Sequence, residues 1–265
     1  MKKDCIKLIF FGDIVGKPGR IAVCDYLSEI KFEDLFTIAN VENASHGFGL
    51  TEKNYHELCN AGLNCLTSGN HIWDKKDIFK YIKDAKNLVR PLNYPKKTKG
   101  QGSTIIDFNG IKIGVINVLG KTFMQTIESP WELTKKEIKR LQKITPNIIV
   151  DFHAEATAEK ICFGRFCSEL GVTACLGTHT HVQTADEKII NGMAYITDVG
   201  FCGAVDSVIG IDYKASLQRL STGLPSVFEV PETKHAQINA VEIMINPIQG
   251  KSICINRISF DREWR

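Results

Sequence analysis

Short apolar runs alternate along the chain with longer stretches in which apolar residues recur every three to four positions. The first pattern suits buried strands and the second suits helices packed over them, which is the signature of an α/β fold. Strands are predicted over Ile6–Phe11, Phe36–Val41, Cys65–Ser68, Ile148–Phe152, Ala174–Gly177 and Ala194–Thr197, and helices over Pro18–Ile30, Thr51–Ala61, Trp131–Lys143 and Ala156–Leu170. Thr51 stands where it would cap its helix and Gly62 where it would stop it. Ile105–Phe108 and Ile111–Ile113 flank Asn109-Gly110, the pair a type I′ turn favours, so a hairpin is expected. Ser226–Val230, Ile238–Ile245 and Ser252–Phe260 again read as strands and are expected to add a further sheet. Arg90–Gly102, with prolines 91 and 95 and lysines 96, 97 and 99, reads as a long solvated loop. No repeat and no linker rich in Pro, Gly or Ser divides the chain, so residues 1–265 read as a single domain.

Composition narrows the class. At 265 residues, 43% hydrophobic and 24% charged, the chain is an ordinary globular protein, long enough to bury roughly 70–75% of its unfolded surface. Thirty-three basic against 30 acidic residues leave a net charge of +3, too little for a dedicated nucleic-acid or membrane-surface binder. The nine cysteines form no CxxC pair, and several sit in apolar settings such as Ala174-Cys175-Leu176. Reduced thiols in a cytoplasmic protein are expected. The apolar run after Lys3 is cut by Lys7 and ends at Gly12-Asp13, too short for a signal-peptide core, and no stretch approaches a membrane span.

Candidate chemistry gathers at strand ends. Five predicted strands run into residues able to ligate a metal: Asp13; Glu42 and Asn43; Asn70 and His71; His153; and His179-Thr180-His181. Ligands of parallel α/β sheets bind outside the carboxyl ends of the strands, so these positions converge. Separations of 29 residues from Asp13 to Glu42 and 28 from Glu42 to Asn70 match one βα unit each. Residues two apart in an extended segment face one side, so His179 and His181 are expected to present two imidazoles to one cluster. Any one of these residues alone would more often be a turn, cap or core residue. His46, His56 and His235 lie off the pattern.

Asp13 after a first strand, Gly69-Asn70-His71, His153 and Gly177-Thr178-His179-Thr180-His181 together resemble the calcineurin-like metallophosphoesterase superfamily. Two departures are informative. Val15 stands where the superfamily usually has a second histidine, and Asn40-Val41-Glu42-Asn43-Ala44 replaces the usual GDxxD. Both departures are similar to the YmdB-like bacterial phosphodiesterase branch. So are Gly12–Arg20, Gly69–Asp74, Thr197–Gly200, Asp206–Gly210 and Thr222–Pro225.

That resemblance, which covers nearly the whole chain, implies a four-layer α/β/β/α sandwich with mixed sheets and a binuclear centre. One ion would take Asp13, Glu42, Asn43 and His181; the other would take Glu42, Asn70, His153 and His179. The ions implied are divalent or mixed-valence, iron first and manganese or zinc as alternatives. Carboxylate, amide and imidazole donors without thiolate agree with this choice. The implied reaction is hydrolysis of small phosphodiesters, foremost 2′,3′- or 3′,5′-cyclic nucleotides, by a hydroxide held between two ions. RNA processing and a regulatory protein with an idle site are the alternatives, and modest charge without an RNP-like aromatic motif weighs against RNA. Self-association into a homo-oligomer is implied in the same way. His71, beside Asn70, is expected to be the general acid for the departing ribose oxygen, with Asp74 as its hydrogen-bond partner.

Competing motifs fail. Gly12–Pro18 has three residues, not four, between its glycines, and Pro18 sits where a P-loop needs Ser or Thr. Gly47-Phe48-Gly49 is half of a dinucleotide fingerprint and reads as a turn. Cys162 and Cys167 have no histidine at nucleophile spacing.

Overall fold

In a computed structural model that describes residues 5–30, 35–125 and 127–264, the chain forms two six-stranded mixed sheets and six α-helices. The first sheet is built on β1 (Ile6–Ile14), flanked by α1 (Gly16–Glu29), β2 (Leu35–Asn40), α2 (Glu52–Asn60) and β3 (Cys65–Thr67). The second holds β4 (Ser103–Phe108), β5 (Ile111–Leu119), β6 (Ile148–His153), β7 (Ala174–Thr178), β8 (Lys188–Ile190) and β9 (Met193–Ile196). A single 3-10 turn (Asn70–Trp73) and α3 (Ile78–Tyr81) follow β3; α4 (Pro130–Gln142) and α5 (Thr157–Glu169) flank β6. β10 (Phe201–Ala204), α6 (Tyr213–Thr222), β11 (His235–Asn246) and β12 (Lys251–Glu263) complete the chain.

Alternation along the central strands sorts the core. Ile6, Leu8 and Phe10 of β1 join Ile113 and Val115 of β5 and Ile149 of β6 in one cluster that both sheets share. Ile9 and Phe11 turn the other way, onto Ala22, Val23 and Leu27 of α1 and Leu58 of α2. On the second sheet Ile116, Val118, Ile148 and Val150 pack with Ile138 of α4 and Phe163 of α5. Strands buried on both faces are nearly continuous apolar runs for this reason. Asn109 and Gly110 both have positive φ (53° and 80°), as the hairpin pair requires. Thr51 caps α2 by accepting from Asn54 N.

Three expectations are corrected. Ile238–Ile245 and Ser252–Phe260 do not build a separate sheet. As β11 and β12 they extend the first one, with β11 antiparallel to both β1 and β10. Ser226–Val230 is not a strand: it is bracketed by Pro225 and Pro231, Val227 is 75% exposed, and the segment crosses the surface as a strap. The Arg90–Gly102 loop keeps its lysines in water but buries Arg90, whose guanidinium donates to the carbonyls of Pro91, Leu92, Thr98 and Lys99. All nine cysteines are free thiols. Among the described residues no helix is long and apolar enough to cross a membrane.

Candidate metal centre

The parallel strands of both sheets deliver their carboxyl ends to one place. A register shift between Phe11 and Asp13 sets Asp13 beside Asn40 of β2. In the other sheet His153 pairs with Thr178, the last residue of β7. Across the gap between the sheets, Asn40 Nδ2 donates to Asp151 Oδ2 at 3.1 Å, so polar contacts replace the apolar core at this end.

Glu42, His153 and His179 form the tightest group. Glu42 Oε1 lies 2.9 Å from His153 Nε2, which lies 3.0 Å from His179 Nδ1. Ligand bonds of about 2.0–2.2 Å would let one ion reach donors so spaced. Asp13 Oδ1 and His181 Nε2 face each other at 3.8 Å as a second group. Asn43 and Asn70 border the two groups in sequence, each next to Glu42 or Gly69. The side-chain oxygens Asp13 Oδ1, Asn43 Oδ1 and Asn70 Oδ1 are all buried without a hydrogen-bond partner. A buried acceptor without a donor costs about 1–3 kcal/mol, and here three belong to the same strand-end cluster. That donor set of carboxylate, amide oxygen and imidazole fits hard or borderline cations.

Electrostatics agree. Burial raises the Asp13 carboxyl, opposed by His181 and His153. Burial would raise Glu42 too, but the charge and hydrogen bond of His153, helped by His71, hold it at about 2. For His153 burial acts downward and Glu42 outweighs it, giving about 9. Burial and the neighbouring His153 push His179 down to about 3. An ionised carboxylate 1% exposed persists only beside compensating positive charge.

The ring orientations are set from behind. Thr178 Oγ1 donates to Asp151 Oδ1 at 2.7 Å, so it accepts from His153 Nδ1 at 2.9 Å. Nδ1–H of His153 is therefore committed to Thr178, and Nε2, the nitrogen facing Glu42 and His179, is the one that would release its proton to a cation. His181 Nδ1 bonds Ile209 O at 2.8 Å, which leaves Nε2 toward Asp13. His179 Nε2 meets Glu155 Oε2 at 3.0 Å, which leaves Nδ1 inward.

The extended geometry expected for 179–181 is absent. His179 and His181 both have positive φ (103° and 63°), so they do not simply alternate. Such strain persists where surrounding contacts over-determine it. Here Asp198 Oδ2 accepts from Thr180 N at 3.1 Å, from Thr180 Oγ1 at 2.7 Å and from the buried Lys160 ammonium, while Lys160 Nζ also donates to Thr178 O at 2.7 Å. Asn70 and His71 likewise lie on a 3-10 turn, not in an extended segment. His71 N donates to Glu42 Oε2 at 2.8 Å, and its Nδ1 meets Asp74 Oδ2 at 2.8 Å, the partner expected. His46 and His56 are exposed. His235 faces Asp261 far along the first sheet.

The chain matches the family model described as YmdB-like protein over residues 9–258. It belongs to that family. It is 45% identical over 256 residues to the 2′,3′-cyclic-nucleotide 2′-phosphodiesterase of Bacillus subtilis (strain 168), covering 96% of each chain. A solved structure of a novel phosphatase from Mycoplasma pneumoniae superposes with a TM-score of 0.90 at 38% identity, covering 98% of this chain and 94% of that one. A hypothetical protein from Thermus thermophilus also gives 0.90, at 32% identity, covering 97% and 100%.

Sequence reasoning missed the residues that orient the candidate ligands. Asp151 is two positions from His153 on the same strand face, a detectable signal for a partner beneath it. Asp198 falls in the quoted Thr197–Gly200 run without a role attached. Lys160 is 2% exposed in the first turn of α5, and no local pattern distinguishes it from a solvated lysine. Glu155 carries no signal beyond following His153 in sequence.

Proposed function

We propose that this chain is a metal-dependent phosphodiesterase acting on cyclic nucleotides at a binuclear centre. The observation that carries the proposal is the three buried, unpartnered oxygens of Asp13, Asn43 and Asn70, on the same strand-end segments as the Glu42–His153–His179 group. Asp13, Glu42, Asn43 and His181 would hold one ion, and Glu42, Asn70, His153 and His179 the other, with Glu42 shared. The two groupings of facing atoms support this division. Iron is the leading metal, with manganese or zinc as alternatives. The separation of core side chains into three clusters supports a four-layer α/β/β/α arrangement. The core shared by both sheets supports one domain. Nine free thiols favour a cytoplasmic setting.

Two cations so held would supply Lewis-acid polarisation of the phosphoryl oxygens and a nucleophile at neutral pH. The protein's own groups do the rest. Asp151 and Thr178 orient His153, and Glu155 orients His179, so His153 Nε2 and His179 Nδ1 face inward without turning the rings. His71 sits at the mouth, its side chain 31% exposed, with Nδ1 committed to Asp74 and its backbone N–H to Glu42. Nε2, when it carries a proton, is then the atom left to deliver it to the departing ribose oxygen. The contact with Asp74 fixes the orientation of that ring.

The name of the Bacillus subtilis relative favours 2′,3′-cyclic nucleotides over the 3′,5′ isomers. Rates on 2′,3′-cyclic AMP, 3′,5′-cyclic AMP and a single-stranded RNA oligonucleotide test the assignment. Fastest turnover of a cyclic nucleotide is expected. RNA cleavage without cyclic-nucleotide turnover, or no hydrolysis of any of the three, would overturn it.

A further inference from the structure

The loop that carries Glu42 and Asn43 folds back on itself before α2 begins. His46, Gly47 and Gly49 all have positive φ (59°, 89° and 74°), and the turn is closed by Ser45 N donating to Gly49 O at 3.0 Å and Asn43 Nδ2 to Gly47 O at 2.9 Å. The fold-back lays the half-buried Phe48 ring edge-on against His71, with ring centres 4.8 Å apart. A second ring comes from a distant part of the chain. Phe228, in the strap over residues 223–231, meets Phe48 at 5.6 Å and 67°. The Arg219 guanidinium from α6 lies 4.4 Å over Phe228. Asp212 N donates to Glu229 O at 2.8 Å, and Ser226 Oγ to Ala215 O at 2.7 Å, so both sides of Phe228 are tied down. Val230 packs against Gly47, where an added Cβ would stand 3.1 Å from Val230 Cγ2.

The result is an unbroken row, His71–Phe48–Phe228–Arg219, leading away from the candidate metal centre. Phosphoryl chemistry uses none of the last three. Aliphatic side chains would cover the loop equally well; two flat rings ending under a guanidinium suit a flat ligand.

We propose that Phe48 and Phe228 form the wall on which the substrate's nucleobase stacks while its phosphate lies among the ligands, Arg219 holding the Phe228 ring in place. This subsite rests on the cyclic-nucleotide assignment above and adds where the base goes. It puts His71 between phosphate and base, on the side of the ribose oxygen that leaves. A base stacked on either ring would meet a π surface and no hydrogen-bonding group of Phe48 or Phe228, so the subsite accepts purines and pyrimidines alike.

The test is equilibrium binding to the metal-loaded protein, with turnover measured alongside. Dissociation constants for adenosine 3′-monophosphate and for inorganic phosphate are determined by calorimetry for wild type, F228A, F228L and F228Y. Phe228→Ala and Phe228→Leu should each weaken the nucleotide roughly fivefold or more relative to phosphate, in line with alanine substitution at base-stacking aromatics. Phe228→Tyr, which keeps the ring, should restore it. In turnover, F228A should raise KM for 2′,3′-cyclic AMP relative to 1,2-cyclic glycerol phosphate, which has no base. Parallel losses for nucleotide and phosphate, or undiminished nucleotide binding by F228A and F228L, would overturn the subsite. A wild type that turns over no cyclic nucleotide, yet loses nucleotide binding selectively on F228L, would sink the cyclic-nucleotide assignment and uphold the subsite.

Discussion

Gly69 separates the end of β3 from Asn70, and the smallest possible addition there strikes the centre of the candidate site. A Cβ on Gly69 would lie 2.4 Å from Glu42 Oε2 and from both Cδ2 and Nε2 of His153. Non-bonded atoms prefer about 3.5–4.0 Å, so Gly69→Ala requires movements of about 1 Å. Neither neighbour has room to retreat: Glu42 is held by His71 N at 2.8 Å and His153 by Thr178 at 2.9 Å. Overpacking of this kind costs about 1–3 kcal/mol, which a fold stable by about 5–15 kcal/mol survives. Ligand geometry is far less tolerant, with a margin of about 0.2 Å in ligand distance. A displacement of about 1 Å at reacting groups costs roughly 10²-fold in rate. Metal content by mass spectrometry, thermal unfolding and initial rates on 2′,3′-cyclic AMP should therefore show a folded protein, depleted in metal and about a hundredfold slower. Gly114→Ala in β5 is the control, because the nearest atom to its Cβ would be Leu141 Cδ1, the end of a flexible side chain, at 3.2 Å. A Gly69→Ala protein with full metal content and a wild-type rate would refute the placement of Glu42 and His153 as joint ligands.

Other outcomes follow from the same geometry. Lys160→Met leaves Asp198 buried without its ammonium; removing one partner of such a pair costs about 3–5 kcal/mol, and thermal unfolding should record that loss together with weaker metal retention by the 179–181 loop. The double variant Lys160→Met with Asp198→Asn should recover part of the stability, and additive losses would contradict the pairing. His179→Ala and His181→Ala should each lose about one metal equivalent by mass spectrometry, because their inward nitrogens face different groups. Retention of both ions by either variant would remove that histidine from the ligand set. His71→Ala should keep its metals and lose roughly 10²–10⁴ in rate on 2′,3′-cyclic AMP, but far less on a nitrophenyl diester whose leaving group departs unprotonated. Equal losses on the two substrates would make His71 a positioning residue.

Much of the candidate site was legible in the sequence because the candidate ligands sit at or just past the ends of strands that announce themselves as apolar runs. Asp13, Glu42, His153 and His179 each follow such a run, and parallel pairing brings those ends together. The hairpin at Asn109-Gly110 and the cap at Thr51 were legible for a different reason: each is decided within a few residues. What stayed hidden depends on distant partners. The conformation of His179 and His181 is set by Asp198 and Lys160, about twenty residues away on either side, so the local appearance of an extended segment misled. Ser226–Val230 has the β-branched and aromatic residues of a strand but joins neither sheet among the described residues, and its bracketing prolines remove donors that pairing would use. β11 turns Ala236, Ile238 and Ala240 to one core and Val241, Ile243 and Ile245 to the other, a change of face visible only once both layers are in place. Asn40 reaches Asp151 across 111 residues of sequence and between sheets, beyond any periodicity.

Phosphodiester hydrolysis by this chain is proposed to need two ions held by these residues. The most direct test is the rate on 2′,3′-cyclic AMP as a function of metal bound per chain, starting from chelated protein and adding iron(II) or manganese(II) anaerobically. The rate should be negligible after chelation, stay low near one equivalent and reach its full value at about two. Full activity in the chelated protein, or a rate that saturates at one equivalent, would contradict the account.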